Sequence, residues 1–468
     1  VEDQVRKRLF QRPGAPLFRP VSGLTHESGQ SQAKFTIAVF RKQEKTWAQG
    51  TASRGFFGEG NARHYGPKRH FLKYIMPIMP TMQETFDIVI IGAGPAGLSA
   101  ALRVLSAAPK PSVLLVDKVV PWEKPIACAE GVWTKQFKAA AGERPEWTRF
   151  YISTVVLHSP NGSKIEHTAQ DAGCIVNRPR MQADMAGQCR ALGAEVRLGE
   201  RVTDIAPEKE SRRQVCFANG QSALGRVVID ASGPVAGFGK KEKIAWKPPD
   251  LEPAYFVIAE NTGIRHDAIH IYLGRDIAPG GYGWAFPREE NTASIGIVTG
   301  RDYRGTCDIR KKLDALVERN FPHAKITHRW AGAIPCEGRP QVIAARRLFK
   351  AGDAASAVNP FTRAGIVEAL ESGKLAGTFA LKTLGAKSAN QVCSCCKDYQ
   401  RRWYLALGKK HGKLSRTKGA LVKIPDADYN TAFSELSKIP QEKLTITRII
   451  RLSLGRFPRL VFAMRHLM

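Results

Sequence analysis

The stretch that most constrains this chain is Phe86–Leu105, FDIVIIGAGPAGLSAALRVL. Ile88, Val89, Ile90 and Ile91 form an unbroken apolar run, as carried by a strand buried on both faces. Gly92, Gly94 and Gly97 follow at G-x-G-x-x-G spacing, with Ala96 just before the last, and an Ala/Leu-rich helical stretch begins at once. The first glycine permits the tight turn, the second lets backbone approach a pyrophosphate, and the third lets helix and strand pack closely. The free N–H groups and positive end of the helix then face the phosphates. A second apolar run, Ser112–Val116, ends on Asp117-Lys118, about twenty residues past Gly97, where a carboxylate can hold a ribose hydroxyl. Strand, triad, helix, strand and acid in register predict a dinucleotide site rather than a plain buried βαβ unit.

The charge is less ordinary than the core. The 468 residues, enough for two or three domains, carry a net +29. Residues 1–81 hold 14 Lys/Arg against 5 Asp/Glu, and most of the remainder lies in the C-terminal third. A basic excess suits nucleic acid, anionic lipid, or an anionic substrate or redox partner. No basic-plus-aromatic nucleic-acid module is apparent, so no nucleic acid is expected and lipid or a diphosphate is favoured. Residues 1–81 have little apolar periodicity, which predicts disorder. Because Val1 opens the chain and Met76, Met79 and Met82 precede the first strand, three readings of this leader stay open: an over-long gene model, a basic tail with a partner, or a targeting segment. Nine scattered cysteines suit a reducing compartment. Without a signal peptide or a run of about 18 apolar residues, a cytoplasmic protein is expected. Residues 440–468 mix Ile449, Ile450, Leu452 and Phe462 with Arg448, Arg451 and Arg456, which suits either an interfacial helix pair on an anionic membrane surface or a helix packed on the domain.

Along the chain, Pro121–Gly131 reads as a loop. Arg149–Val156 and Ser163–His167 alternate around Asn161-Gly162, a hairpin signal. Cys174–Arg178 reads as a strand entering a helix to about Leu192. Strands follow at Glu195–Val202 and Gln214–Phe217, and Arg226–Gly233 is a strand ending in a glycine turn. Ala254–Gly300 is strand-rich with a turn at Arg288–Asn291, Cys307–Asn320 is helical, Leu348–Asp353 is a strand closing on an acidic turn, and Ile366–Leu384 is a long helix. The expected fold class is α/β: a Rossmann-like FAD-binding domain (82–150, 175–235 and 340–386), an inserted mainly antiparallel β substrate domain (151–174 and 236–339) and a C-terminal helical region (387–468).

The FAD assignment rests on a resemblance. With the glycine triad, Asp230-Ala-Ser-Gly233 and Gly352-Asp353-Ala-Ala each follow an apolar strand, and the set resembles the flavoprotein superfamily that includes p-hydroxybenzoate hydroxylase. That resemblance implies that Asp353 hydrogen-bonds the ribityl chain and that the helix after Gly365-Ile366 aims its N-terminus at the flavin pyrimidine ring, where reduced flavin carries negative charge. Arg178 matches the superfamily arginine near the cofactor; a solvated cation at a helix start is the other reading. Lys124-Pro-Ile-Ala-Cys128-Ala-Glu130-Gly131 resembles the K-P-x-x-C-x-E-G loop of the geranylgeranyl reductase family, Tyr282-Gly-Trp284-Ala-Phe286-Pro287 its Y-x-W-x-F-P signature, and GDAASAVNPFTRAGIVEALESGK from Gly352 its late flavin segment. The resemblance runs from Phe86 to the end. Departures are Ala129 for the usual glycine, Met181-Gln182 for Phe-Asp, and Thr362-Arg363-Ala364 for Thr-Gly-Glu, the last near the expected flavin face.

Members of that family reduce isolated C=C bonds of prenyl chains, which implies a prenyl-chain lipid substrate and hydride delivery from reduced FAD. An unpolarised alkene offers no oxyanion to stabilise, so catalysis leans on positioning and a nearby acid. Cys128 is the first catalytic candidate, against an inert buried thiol. Glu130 orients the loop or relays the proton, against a surface carboxylate. Tyr282, Trp284, Phe286 and Pro287 suit a prenyl-binding wall, the three aromatics on one strand face, against ordinary sheet packing. Cys393, Cys395 and Cys396 lack a metal or cluster spacing, and no metal is expected. One dinucleotide fingerprint leaves the electron donor open between NADPH and ferredoxin. The other readings are a flavin monooxygenase or halogenase, disfavoured because halogenases carry W-x-W-x-I-P, and an electron-relay flavoprotein.

Overall fold

The structure, a computed structural model, describes residues 83–439 apart from 124–125, 236, 245–249 and 337–341. The 1–81 leader, Lys124-Pro125 of the cysteine loop and the basic segment 440–468 therefore lie outside the described residues. In chain order the strands are β1 (Glu84–Ile91), β2 (Val113–Asp117), β3 (Gly131–Val132), β4 (Thr148–His158), β5 (Lys164–Val176), β6 (Glu195–Leu198), β7 (Val202–Ile205), β8 (Arg213–Phe217), β9 (Ser222–Asp230), β10 (Leu251–Glu260), β11 (Ala268–Tyr272), β12 (Tyr282–Glu289), β13 (Thr292–Val298), β14 (Lys325–Pro335), β15 (Ala344–Ala345) and β16 (Leu348–Lys350). The α-helices are α1 (Pro95–Leu105), α2 (Thr134–Ala141), α3 (Arg178–Ala191), α4 (Ile309–Asn320), α5 (Ile366–Leu384), α6 (Ala389–Trp403), α7 (Lys409–Leu421) and α8 (Asp426–Leu436).

Two sheets organise these elements. In the first, β16, β9, β1, β2 and β6 lie side by side in parallel, extended by the antiparallel β8 and β7. The apolar run of β1 is central and buried on both faces: Ile88 and Ile90 belong to the core under α1 and α5, Val89 and Ile91 to the core on the other side. The C-terminal ends of β1, β2, β9 and β16 share one edge, where ligands of open parallel sheets bind. The second sheet runs β14-β10-β13-β12-β11-β4-β5-β3 and is antiparallel except for the β11–β4 pair. Helix α4 covers one face through Leu313, Leu316 and Val317. The other face carries Phe256, Trp284, Tyr282, Phe286 and Trp330.

Several expected elements differ in extent. Cys174–Val176 is the end of one long strand, β5, pairing with β4 from Lys164 onward through two register shifts. Glu195–Val202 divides into β6 and β7, which leave for different neighbours. Beyond residue 387 the chain is helical as read, continuous through a π-helical turn at Tyr404–Gly408. Cys393, Cys395 and Cys396 are free thiols on α6, grading from exposed to buried. No cluster of three metal-ligating side chains occurs among the described residues.

Candidate active site

The glycine triad performs three distinct jobs. Gly92 has φ +103°, and a Cβ there would lie 2.3 Å from the Ala231 carbonyl oxygen. A Cβ on Gly97 would lie 1.8 Å from the Gly92 oxygen, so helix and turn touch only because it is absent. Gly94 is different: its Cβ would meet nothing within 4 Å, so the backbone at the start of α1 faces open space. With Pro95 at its first position, α1 has no acidic residue in its first turn to occupy its free N–H groups.

The late acidic turn packs onto the same place. Gly352, at φ +59°, comes so near that a Cβ would sit 2.8 Å from Ala96 Cβ, and a Cβ on Gly373 of α5 would lie 2.0 Å from the Ala96 oxygen. Gly365 caps α5, with Ile366 buried behind it, and a Cβ on Gly365 would be 3.8 Å from Asp353 Oδ1. Gly92, Gly94, Ala96, Gly97, Gly352, Asp353, Gly365 and Ile366 thus converge, though the chain separates them by more than 250 positions. Asp353 is half-buried. Its burial lifts the carboxyl to about 6, against the pull of the nearby Arg178 guanidinium.

Arg178 opens α3 and donates from Nη2 to Gln182 Oε1 at 2.9 Å, while its buried Nε has no partner. Gln182 in turn donates to the Ala93 carbonyl at 3.2 Å, tying α3 to the glycine turn. Asp117 accepts from the backbone N–H of Ala93 at 2.7 Å and of Val119 at 3.2 Å, and burial raises its carboxyl. Lys118 beside it is exposed and Gly233 faces open space at φ +86°. Asp230 is fully buried, and its carboxylate accepts from Lys350 Nζ at 2.6 Å and from Ser232 Oγ and N, so it staples β9 to β16 and holds the turn before Gly233.

The Cys128–Gly131 loop bridges the two sheets. Cys128 packs against the first sheet's core, Ala129 against the aromatic face of the second, and a Cβ on Gly131 would lie 2.7 Å from Phe286 Cε2. Glu130 is held at φ +62°, a strained conformation of the kind that gathers at functional sites. Its N–H donates to Cys128 Sγ at 3.3 Å, and its carboxylate accepts from Arg178 N at 3.1 Å and lies 3.4 Å from Arg288 Nη1. At 1% exposure Glu130 is no surface carboxylate. Desolvation raises its carboxyl, opposed by Arg288, Arg149 and Arg178.

Tyr282, Trp284 and Phe286 share a face as their alternation requires, Trp284 fixed by Nε1 donating to Ser294 Oγ at 3.3 Å. Pro287 does not join them. It pairs with Ala293 on the opposite face, toward α4, because side chains alternate along β12. The Tyr282 hydroxyl donates to the Thr362 carbonyl, and burial pushes its phenol up to about 12. Arg363, at φ +58°, lies over the Tyr282 ring and donates from Nε to Glu252 at 2.9 Å, from Nη1 to the Phe361 carbonyl and from Nη2 to the Gly280 carbonyl. Glu252 also accepts from Lys418 Nζ of α7 at 2.9 Å. No sequence signal marked Glu252, Lys418, Arg149 or Arg288, since each acts through a partner remote in the chain.

Residues 87–247 match the family model described as lycopene cyclase protein, and residues 250–334, which include the Tyr282–Pro287 stretch, match the geranylgeranyl reductase catalytic domain. A digeranylgeranylglycerophospholipid reductase of Methanoculleus marisnigri is 30% identical over 82% of this chain and 99% of its own length. The chain belongs to the geranylgeranyl reductase family. Digeranylgeranylglycerophospholipid reductase 2 of Methanococcoides burtonii is 28% identical over 79% of this chain and 92% of its own. In fold, a geranylgeranyl bacteriochlorophyll reductase-like protein of Thermoplasma acidophilum superposes with a TM-score of 0.72 at 21% identity, covering 82% of this chain and all of that one.

The residues present fit the flavin dinucleotide of this family. Gly94 leaves a cradle a side chain would fill, the first N–H groups of α1 are free for a pyrophosphate, Arg178 Nε lacks a partner, and the α5 N-terminus sits beside Asp353.

Proposed function

We propose that this chain is an FAD-dependent oxidoreductase that reduces C=C bonds of a geranylgeranyl or other polyprenyl chain. The observation that carries the reading is the cysteine loop, whose Cys128 faces the nucleotide-side core while Ala129 and Gly131 lie on the aromatic face. In this reading the first sheet with α1, α3 and α5 is the FAD-binding part, and the second sheet is the substrate-binding part. When bound and reduced, FAD supplies the hydride. The half-buried Tyr282, Phe286 and Trp330 give the prenyl chain a rigid apolar wall and exclude water from the alkene. Cys128 is the group within reach of both and holds the proton for the second carbon. Glu130 positions it: the Glu130 carboxylate is committed to Arg178 and Arg288, and its N–H points at the thiol sulfur.

The reductant in this reading is NADPH visiting the flavin transiently or a ferredoxin docking on the basic surface, and anaerobic mixing with each in turn separates them. Among the described residues no helix is long and apolar enough to cross a membrane, and a lipid substrate favours peripheral contact with an anionic bilayer. The deciding experiment uses the FAD-loaded protein, reduced anaerobically with dithionite and given a geranylgeranyl lipid. Product mass rising by two hydrogens per step supports the reading. Fast reoxidation by air with a hydroxylated or halogenated aromatic product supports the monooxygenase or halogenase alternative. Full turnover in Cys128→Ala with FAD retained refutes the role given to Cys128.

A further inference from the structure

The continuous helix from α6 through the π-helical turn into α7 carries a charge pattern that the site does not use. From Tyr399 to Pro425 the chain has eight Lys/Arg and no Asp/Glu. The inward line of this helix is Trp403, Leu407, His411, Leu414 and Lys418, all buried. Lys418 is committed there to Asp250 and Glu252. Two residues past each of the first four, roughly 200° round the helix at 3.6 residues per turn, stand Leu405, Lys409, Lys413 and Arg416, all exposed, with Arg401 and Arg402 just before them. Leu405 is 55% exposed at the π-helical turn, next to the half-exposed Tyr404. The nearby acids are few. Glu368 and Glu371 of α5 engage Lys410, and Asp398 has Lys397 beside it. Arg401, Arg402, Lys409, Lys413 and Arg416 form no ion pair among the described residues.

Unpaired cations around a protruding leucine are what a helix lying on an anionic bilayer presents, the cations at the headgroups and the apolar side chain at the acyl boundary. From Arg401 to Arg416 the ridge runs roughly 22 Å at about 1.5 Å per residue, and a flat charged surface meets all of it at once. An acidic protein satisfies the cations alone, whereas a bilayer also takes up Leu405 and holds the substrate of the proposed reaction. We infer that the outer ridge of this helix, Arg401 to Arg416 with Leu405 at its apex, docks the protein on an anionic lipid bilayer. The choice of a bilayer rests on the polyprenyl-reductase reading. On its inner side the same helix is fastened to the site, since Lys418 bonds Glu252, which holds Arg363 over the Tyr282 ring.

The test sediments the FAD-loaded full chain with phosphatidylglycerol vesicles and, separately, with phosphatidylcholine vesicles. The intact protein binds the anionic vesicles more tightly, and the preference shrinks with added salt. Each cation at an anionic surface contributes about fivefold, so combining Arg401→Gln, Lys409→Gln and Lys413→Gln weakens that binding on the order of a hundredfold. Leu405→Gln weakens it about tenfold. FAD content and turnover on a detergent-solubilised prenyl substrate stay unchanged in both variants. Leu405→Trp gives an emission blue shift, beyond that of the intact protein, on anionic vesicles only. No preference for anionic vesicles in the intact protein overturns the inference, and so does unchanged binding in the triple variant, which places the contact elsewhere on this basic chain. Retained vesicle binding with slower reduction by a reduced ferredoxin assigns the ridge to an acidic redox protein and overturns it too. If the triple variant does not fold, an unshifted emission in Leu405→Trp overturns it equally. Vesicle binding is read without turnover, so failure of the polyprenyl reading, seen as no reduced product from any prenyl lipid, is told apart from failure of the docking surface.

Discussion

Replacing Gly131 by alanine tests the contact between the cysteine loop and the aromatic wall. A Cβ there would lie 2.7 Å from Phe286 Cε2 and 3.0 Å from Cδ2, so the ring or the loop must yield by roughly 1 Å to reach ordinary carbon–carbon contact. The loop is the stiffer partner. Gly131 pairs with Ile175, and the Glu130 carbonyl accepts from Val176 N at 2.8 Å. Gly131 is outside the left-handed region, so alanine meets no backbone objection. The ring therefore moves, at about 1–3 kcal/mol of overpacking. A wall displaced by about 1 Å misplaces the alkene, and a displacement of that size can lower turnover on the order of a hundredfold. The assay is a double-mutant cycle of Gly131→Ala with Phe286→Leu, reading the denaturation midpoint and the rate at which a geranylgeranyl substrate reoxidises the reduced flavin. Leucine lacks the ring edge, so the double variant recovers about 1–2 kcal/mol relative to the sum of the single losses. Strictly additive losses would refute the claim that Gly131 exists to admit Phe286.

The dinucleotide turn makes a paired prediction. Gly94→Ala, whose Cβ meets no protein atom, keeps stability but weakens FAD retention, whereas Gly97→Ala, with its Cβ 1.8 Å from the Gly92 oxygen, loses both; thermal melts and flavin absorbance after gel filtration distinguish them. The flavin-free protein should lose stability as pH rises from about 4 to about 7. Burial lifts Asp353 to about 6 and Glu368 to about 7 in the folded state, so folding favours their protonated forms and that advantage fades as the pH passes those values. Asp353→Asn and Glu368→Gln each flatten the slope, and an unchanged slope in both rejects the assignment. Lys418→Met removes one cation from Glu252 while Arg363 remains, so it costs up to about 3 kcal/mol, less than the 3–5 kcal/mol of an unpaired buried charge; denaturant midpoints measure this, with FAD content unchanged.

How much was legible in the sequence follows from how local each cause is. The β1–α1 unit was legible because an apolar run, three glycines and a helical stretch are all local, and α5 begins and ends where the pattern places it. The shared face of Tyr282, Trp284 and Phe286 follows from a period of two, and the same period puts Pro287 on the other side, an outcome that grouping by motif obscured. Asp230 reads as a cofactor ligand because it ends a strand beside a glycine turn. Its carboxylate is paired with Lys350, which lies 120 positions away on a strand of only three residues, and nothing local announces such a pair.

Arg363 shows the same limit at the site itself. As a departure from the family pattern on the expected flavin face, it reads as a change in what the flavin or substrate meets. Its backbone keeps the left-handed conformation that favours glycine, and the strain is held by three hydrogen bonds, to Glu252 and to the Phe361 and Gly280 carbonyls, and by a cation–π contact with the Tyr282 ring. Glu252 adds Lys418 from α7, so one carboxylate at 2% exposure joins the loop carrying Arg363, the second sheet and the C-terminal helices. Glu130, at φ +62° and 1% exposure, joins the cysteine loop to α3 and to Arg288 in the same manner. Two strained residues, each locked through a buried carboxylate, thus hold the two loops that meet β12. Rigid placement is what reduction of an unpolarised double bond demands of a protein, and on the proposed reading these two buried ion networks would supply it for the loops beside β12.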